Sequence, residues 1–217
     1  MSSSVTIVNY GMGNLFSVRR AFEFCGGNVS FAETPEEVER ADRIVLPGVG
    51  AFGDGMEALQ QRNLVKALRD YALVGRPILG ICLGMQLLFD VGEEFGVREG
   101  LGLVRGRVVR LPVYDTSGSV LRVPHVGWCP LEPSKNDRTW GASVLAEVSV
   151  NSSVFFVHSY MARPERGDVC IAESAYGGHS FPAVVKDGLI EGCQFHPEKS
   201  GKVGLKIIAN FLGTGGS

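Results

Sequence analysis

The stretch Pro77-Ile78-Leu79-Gly80-Ile81-Cys82-Leu83-Gly84-Met85-Gln86 joins an apolar strand pattern to an apolar helical pattern, which continues to Phe89, at a single cysteine. A glycine lies two residues to either side of Cys82, and glycine allows close backbone approach because it carries no Cβ. Such a strand-to-helix turn, the nucleophile elbow, presents one side chain at the top of an α/β sheet. The start of a helix also favours a thiolate. Cys82 is therefore a candidate nucleophile, and the alternative is a small buried hydrophobic residue.

Strand and helix patterns alternate through the first half of the chain. Strands are predicted at residues 5–9, 29–31 and 43–46 and in the run into Cys82. Helices are predicted at 15–25, from a capping box of Thr34 and Glu37, and in the stretch up to residue 74. This alternation predicts a parallel sheet with helices on both faces. The loops after residues 9, 46 and 81 then meet at the carboxyl edge, where open α/β sheets place their active sites.

The second half is richer in strand patterns, at residues 103–111, 154–158, 169–174, 181–186 and 189–195, before a closing helix at 204–212. Asp187-Gly188 between two apolar runs predicts a hairpin. Polar loops are expected at 114–119 and 134–139. We therefore expect one α/β domain over residues 1–217, with a mostly parallel central sheet flanked by helices, extra antiparallel strands in the second half, and a frayed tail from about residue 213.

Composition excludes several classes of function. The 217 residues are 45% apolar and 20% charged, with a net charge of −2 and no Lys/Arg cluster, which argues against nucleic-acid binding. No apolar run approaches the roughly 18–20 residues of a membrane span, and residues 1–5 do not resemble a secretory signal. Five irregularly spaced cysteines argue against a disulfide framework and predict a reducing, cytoplasmic setting. No spacing suggests a metal site.

A second motif, Gln194-Phe195-His196-Pro197-Glu198, follows the last strand pattern. In an extended segment, residues two apart point to the same side, and Pro197 disfavours the helical conformation for His196. The imidazole and the carboxylate are therefore expected to interact. A carboxylate fixes the tautomer of an imidazole that deprotonates a thiol, which is the logic of a catalytic triad. Taken alone, a His-Pro-Glu motif in a loop is more typical of a surface turn than of a catalytic site.

The loop Pro47-Gly48-Val49-Gly50 follows a predicted strand. Its backbone N–H groups are candidates for stabilising an oxyanion, and the N–H of Leu83, directly after Cys82, is a second candidate donor. The alternative for this loop is a plain glycine-rich turn.

The segments around Cys82 and His196 together resemble the class I, triad-type glutamine amidotransferases. Most members of that class carry Pro-Gly-Gly-Pro-Gly in the oxyanion loop, whereas Pro-Gly-Val-Gly-Ala-Phe at residues 47–52 is similar to the glutaminase subunits of imidazole glycerol phosphate synthase. The resemblance covers residues 5–212. It departs at Cys129, where an asparagine is expected, at Met161, where an aromatic residue is common, and at His179. Other motifs that carry it are Asn9-Tyr10-Gly11-Met12-Gly13-Asn14, Pro124-His125-Val126-Gly127-Trp128, Phe156-Val157-His158-Ser159-Tyr160 and Tyr176-Gly177-Gly178.

The resemblance implies that Cys82 is the nucleophile, His196 the general base and acid, and Glu198 the orienting carboxylate. Gly50 and Leu83 would serve the oxyanion, after a rearrangement of the loop at residues 47–50. The residues implied to contact the glutamine substrate are Gln86, Glu94, His158, Ser159 and Tyr160. Asn14, Trp128 and Lys199 are candidate interface residues.

The resemblance also implies an activity and a partner. Glutamine is hydrolysed to glutamate and ammonia without a metal or organic cofactor. The ammonia passes to a (β/α)₈-barrel cyclase, bound as a heterodimer, that forms imidazole glycerol phosphate in histidine biosynthesis. Three alternatives are less favoured: a free-standing cysteine hydrolase or peptidase, a non-catalytic scaffold, and a subunit serving another product such as anthranilate.

Overall fold

The computed structural model describes residues 3–135 and 140–213. The helices in these ranges are α1 (Leu15–Phe24), α2 (Pro35–Arg40), α3 (Phe52–Gln61), α4 (Leu64–Leu73), α5 (Leu83–Leu87) and α6 (Gly201–Gly213). The strands of the first half are β1 (Ser4–Val8), β2 (Asn28–Ala32), β3 (Ile44–Gly48), β4 (Ile78–Cys82), β5 (Phe89–Gly92), β6 (Arg98–Glu99) and β7 (Val104–Arg110). The remaining strands are β8 (His125–Pro130), β9 (Glu132–Pro133), β10 (Ser153–His158), β11 (Tyr160–Pro164), β12 (Cys170–Tyr176), β13 (His179–Asp187) and β14 (Ile190–Cys193).

The central sheet has eight strands in the order β2-β1-β3-β4-β14-β13-β12-β9. The first five strands in this order are parallel, and the other three continue the sheet in antiparallel fashion. Asp187 pairs with Ile190 in the β13–β14 hairpin, as the Asp-Gly signal predicts. The predicted mostly parallel sheet with extra antiparallel strands is confirmed, and the loops after β1, β3 and β4 leave from one edge.

Two smaller sheets were not predicted. One has the order β11-β7-β5-β6, and the other is the antiparallel ribbon β8–β10. The prediction that the helix after Cys82 continues through Phe89 is wrong, because α5 ends at Leu87 and Phe89 pairs with Val104 of β7. Strand pairing with a distant segment therefore outweighs the local helical pattern of apolar residues.

The core lies on both faces of the central sheet. Val45 of β3 packs into one cluster together with residues of α1 and α6. Ile44 and Leu46, one residue to either side, pack into a second cluster with α2, α3 and α4. Because side chains of a strand alternate between its faces, this doubly covered strand reads as a continuous apolar run, which is typical of buried parallel strands.

Several element boundaries follow from local chemistry. Thr34 and Glu37 form the predicted reciprocal capping box of α2. The helical stretch predicted up to residue 74 is two helices, interrupted where Asn63 adopts a left-handed conformation with φ of 58°; asparagine tolerates this conformation better than most residues. α1 ends at Phe24, with Cys25 as its C-cap.

Parts of two predictions, residues 136–139 of the second polar loop and 214–217 of the tail, lie outside the described residues, and the domain limits 1–217 stay a prediction. No helix in the described part of the chain is long and apolar enough to cross a membrane.

Candidate active site

Cys82 occupies the turn between β4 and α5. Its backbone has φ of 54° and ψ of −109°, and a non-glycine residue held at positive φ stores strain of order 1–3 kcal/mol. The residue is only 7% exposed. The geometry is that of a nucleophile elbow, although α5 has only five residues, so that the dipole behind the thiol is that of a short helix.

The two glycines that flank Cys82 are required by close packing. A Cβ on Gly80 would lie 2.7 Å from the backbone N and Cα of Met85. A Cβ on Gly84 would collide directly with the carbonyl oxygen of Leu46 in β3. The strained turn is thus held between its own helix and the neighbouring strand, as the glycine spacing predicts.

We expect Gly84→Ala to lower the free energy of unfolding by about 3 kcal/mol, because an added methyl group that meets backbone cannot be relieved by a rotamer change. Urea unfolding followed by circular dichroism measures the effect. Gly53→Ala in α3 is the matched control, since its added Cβ would meet only the Arg98 side chain at 3.7 Å. A Gly84→Ala protein within about 0.5 kcal/mol of the parent would contradict this account of the elbow.

His196 and Glu198 form a buried pair beside the elbow. His196 Nδ1 lies 2.8 Å from Glu198 Oε1, and the two side chains are 3% and 2% exposed. The expected extended conformation is wrong for Glu198, because residues Pro197–Lys199 form a 3₁₀ turn. The interaction expected between imidazole and carboxylate nevertheless forms, because the turn brings Glu198 back towards the ring.

The backbone of His196 is itself fixed by hydrogen bonds. Its N–H donates to the Phe155 carbonyl of β10 at 3.0 Å. The Ser200 hydroxyl donates to the His196 carbonyl at 2.7 Å and accepts the Phe155 N–H at 3.0 Å. The sequence alone did not assign Ser200 a role. The feature that could have indicated one is its position four residues after His196.

The electrostatics of His196 depend on Cys82 and Glu198. Burial alone would lower the pKa of the imidazole, but the interactions with Cys82 and Glu198 outweigh burial and raise the pKa above its usual value. The other ring nitrogen, Nε2, is buried and has no regular hydrogen-bond partner. The raised pKa of His196 favours the protonated form of its ring beside Cys82 and Glu198.

Two buried side-chain amides extend from Cys82. Gln194 Nε2 approaches Cys82 Sγ at 3.9 Å, while its Oε1 accepts a hydrogen bond of 3.0 Å from Gln86 Nε2. Gln86 Nε2 also donates to the Tyr160 carbonyl at 3.1 Å. Gln194 is fully buried, and sequence reasoning assigned it no role, although it lies two residues before His196.

One cavity of about 140 Å³ opens on Cys82. It is lined by Gly50, Cys82, Leu83, Gln86, Glu94, His158, Ser159 and Tyr160. These are the nucleophile and all the residues predicted to serve the oxyanion or the substrate. Their catalytic and binding roles stay predictions, but the fold brings them together at one site.

The predicted oxyanion loop is held at its start by a residue that sequence reasoning missed. The buried Tyr10 hydroxyl donates to the Pro47 carbonyl at 2.7 Å. Gly50 has φ of 108°, a conformation that favours glycine. Glu94, which lines the cavity, accepts the Phe52 N–H at 2.8 Å and thereby links the segment after this loop to the cavity.

The three candidate interface residues do not line the cavity. Asn14 is exposed and caps α1 by accepting the Ser17 N–H at 3.2 Å. Trp128 is 55% exposed and contacts the edge of Phe155 at 5.9 Å between ring centroids. Lys199 is exposed in the turn that carries Glu198. In the described ranges, no group of three or more His, Cys, Asp or Glu side chains is placed to hold a metal ion.

Comparison with known proteins agrees with this geometry. The model of the class I glutamine amidotransferase family matches residues 6–214. The chain is 48% identical over 210 residues to imidazole glycerol phosphate synthase subunit HisH 1 of Legionella pneumophila (strain Lens), covering 97% of this chain and 99% of that protein. It is 45% identical over 205 residues to the HisH subunit of Halalkalibacterium halodurans, covering 94% and 93%.

Among solved structures, PurLQS from Thermotoga maritima superposes with a TM-score of 0.73 at 19% identity, covering 98% of this chain and 99% of that one. This likeness concerns the fold alone. The family match and the identities to the HisH subunits lead to one assignment: the chain belongs to the class I glutamine amidotransferases and, within them, to the family of HisH subunits of imidazole glycerol phosphate synthase.

Proposed function

We propose that this chain is the glutaminase subunit of imidazole glycerol phosphate synthase, which hydrolyses L-glutamine to glutamate and ammonia for histidine biosynthesis. One observation carries the proposal: in a chain of this family, Cys82 lines one cavity with the residues expected to contact substrate, and its thiol interacts with the buried His196–Glu198 pair. We retain the expectation that the reaction needs no cofactor. The cytoplasmic location stays a prediction based on cysteine usage.

The residues support a thioester mechanism. The Cys82 thiolate attacks the side-chain carboxamide carbon of glutamine and forms a tetrahedral intermediate. His196, as imidazolium, donates a proton to the departing nitrogen, and ammonia leaves as the γ-glutamyl thioester forms. His196 then takes a proton from the attacking water, and the C–S bond breaks. Glutamate leaves after its new carboxyl group loses a proton to solvent, and Cys82 is again a thiolate beside the protonated His196. Glu198 holds the ring through Nδ1 and stabilises its cation.

Charge develops on the carboxamide oxygen during both steps. We assign its stabilisation to the backbone N–H groups of Gly50 and Leu83, which border the cavity. The Tyr10 hydrogen bond holds Pro47 at the start of the loop, so a rearrangement that completes the oxyanion site would be confined to the residues after it. We propose that binding of the partner drives this rearrangement.

The partner we propose is a (β/α)₈-barrel cyclase bound as a heterodimer. Its contact surface would include Asn14, Trp128 and Lys199. Val126 and Trp128 point to the same side of β8 and are 59% and 55% exposed. Trp128 is paired across the ribbon with Phe155, whose carbonyl accepts the His196 N–H. Phe155 therefore connects a partner bound at Trp128 to the backbone of the catalytic histidine.

We expect glutamate release to be slow for the chain alone and to rise at least about 10²-fold with the cyclase and its ribonucleotide ligand, the scale of one oxyanion donor. A coupled glutamate dehydrogenase assay measures this release. The control is the cyclase alone, which should release no glutamate. Full activity without a partner would favour a free-standing hydrolase, and no activity under any condition would favour a non-catalytic scaffold.

A further inference from the structure

A hydrogen-bond chain of three side chains, separate from the Cys82–Gln194–Gln86 contacts, ends at the wall of the proposed glutamine site. Cys129 Sγ lies 3.4 Å from His125 Nε2, and His125 Nδ1 lies 3.1 Å from His158 Nε2. His158 Nδ1 lies 2.8 Å from the Tyr160 carbonyl oxygen. His125 and His158 are 2% and 5% exposed, and they face each other because they are paired across the β8–β10 ribbon.

The contact of His158 with the Tyr160 carbonyl determines which atom is the donor and which the acceptor at each step of this hydrogen-bond chain. A carbonyl oxygen only accepts, so Nδ1 of His158 carries the proton and its Nε2 must accept. His125 therefore donates from Nδ1, and its own Nε2 is left as an acceptor. The only donor placed against that nitrogen among the described side chains is the S–H of Cys129.

The surroundings favour these protonation states. Burial lowers the pKa of His158 to about 4 and also lowers that of His125, which keeps both rings neutral. Burial raises the pKa of the Cys129 thiol, against a smaller opposing effect of the Ser174 hydroxyl. The Ser174 proton is already donated to the Pro130 carbonyl at 2.8 Å, so this hydroxyl does not also donate to Cys129, and the thiol stays protonated.

The rings are also held in place. His125 stacks on Tyr176 at 4.2 Å and on Phe156 at 5.5 Å between ring centroids. Phe181 contacts both imidazoles from the side, at 5.9 and 4.9 Å. With the ring planes fixed, the hydrogen atoms of the chain have one consistent arrangement.

The end of the chain is shared with the active site. The Tyr160 carbonyl that accepts from His158 also accepts from Gln86, whose amide continues to Gln194 and on to Cys82. His158, Tyr160 and Gln86 all line the cavity. A change at Cys129 is therefore transmitted to the wall against which a substrate packs.

We propose that Cys129 is a positioning residue for glutamine binding: its thiol is the terminal donor of the Cys129–His125–His158–Tyr160 chain, which fixes one wall of the substrate cavity. This inference rests on the proposed glutaminase function. An amide N–H at this position, as in the asparagine that the family resemblance leads one to expect, can also donate, and it is a stronger donor than a thiol. The substitution to cysteine thus keeps the donor and changes only the group that supplies it.

Two variants separate donation from packing. Cys129→Val keeps the approximate volume but removes the donor, and Cys129→Asn restores one. In the complex with the cyclase, Cys129→Val should raise KM for glutamine about fivefold with kcat changed less than about twofold, because one buried hydrogen bond is lost. Cys129→Asn should keep both constants within about twofold of the parent. Equal KM values for the two variants would overturn the proposal.

The matched control is Cys25→Ala. It removes another partly buried thiol, which donates to the Leu205 carbonyl at 3.3 Å and is not part of the hydrogen-bond chain. Cys25→Ala should change neither KM nor kcat. A second measurement does not depend on activity. ¹⁵N NMR of labelled histidine should show His125 and His158 as neutral Nδ1–H tautomers in the parent, with the His125 signal altered in Cys129→Val but not in Cys25→Ala.

An Nε2–H tautomer of either ring in the parent would overturn the proposed chain even if glutamine is hydrolysed. Conversely, the expected tautomers in a protein without glutaminase activity would refute the function of the site while leaving the hydrogen-bond chain intact. The two failures are therefore distinguishable.

Discussion

Cys82→Ala is expected to lower glutamine-dependent synthesis by the complex at least about 10⁴-fold, the scale of removing a catalytic nucleophile, while synthesis from added ammonia is retained. The reason is that only the glutamine reaction needs the thioester on Cys82. Ammonia supplied from solution enters the partner's reaction after that step. Parallel assays of the complex with glutamine or with an ammonium salt measure the two rates.

The matched control for this variant is Cys170→Ala. Cys170 is 6% exposed, compared with 7% for Cys82, so both substitutions remove a thiol of similar burial, but Cys170 lies on β12 away from the cavity. Cys170→Ala should keep both reactions. Loss of both reactions in Cys82→Ala would show that Cys82 serves structure or assembly, and retention of both would exclude it as the nucleophile.

Glu198→Gln is expected to lower kcat for glutamine by about 10³-fold, because a neutral amide neither stabilises the imidazolium nor enforces the required tautomer. Glu198 contributes to raising the pKa of His196. Without the carboxylate, the imidazolium loses its proton at lower pH, so the alkaline limb of the pH profile of kcat/KM should move towards lower pH. Steady-state rates across a pH series measure both effects.

Glu191→Gln is the control for the general effect of neutralising a buried carboxylate. Glu191 is 1% exposed and pairs with Lys186 at 3.1 Å rather than with His196. This variant should change stability but leave the pH profile in place. If Glu198→Gln keeps more than about a tenth of kcat, Glu198 is not the orienting group of a triad.

Much of the site could be predicted because its parts are local. The elbow requires only a strand pattern, a helix start and glycines at fixed spacing, and the packing of Gly80 and Gly84 agrees with that reasoning. His196 and Glu198 are two residues apart, so the sequence predicts that their side chains can interact. The backbone between them forms a 3₁₀ turn instead of the expected extended segment.

Other features depend on pairings that leave no local pattern. β5, β6, β8, β9 and β11 were not predicted. β6 and β9 have only two residues each, and β5 begins at Phe89, inside a run with a helical pattern of apolar residues. β8 has no regular alternation of apolar and polar residues, since it contains a glycine and ends in a proline. The hydrogen bond between His125 and His158 depends on the register of β8 with β10. A shift of that register by one residue would move the two imidazoles to opposite faces.

The sequence by itself determined the family resemblance, the alternating sheet and the candidate reactive groups, because each motif behind them spans only a few positions. Only the tertiary structure decided that these groups meet. Gln194 reaches Cys82 across 112 residues of chain, because β14 inserts beside β4 in the same parallel sheet. Which strands become neighbours depends on how whole strands pack and are buried in the sheet. The spacing of residues along the chain does not predict it.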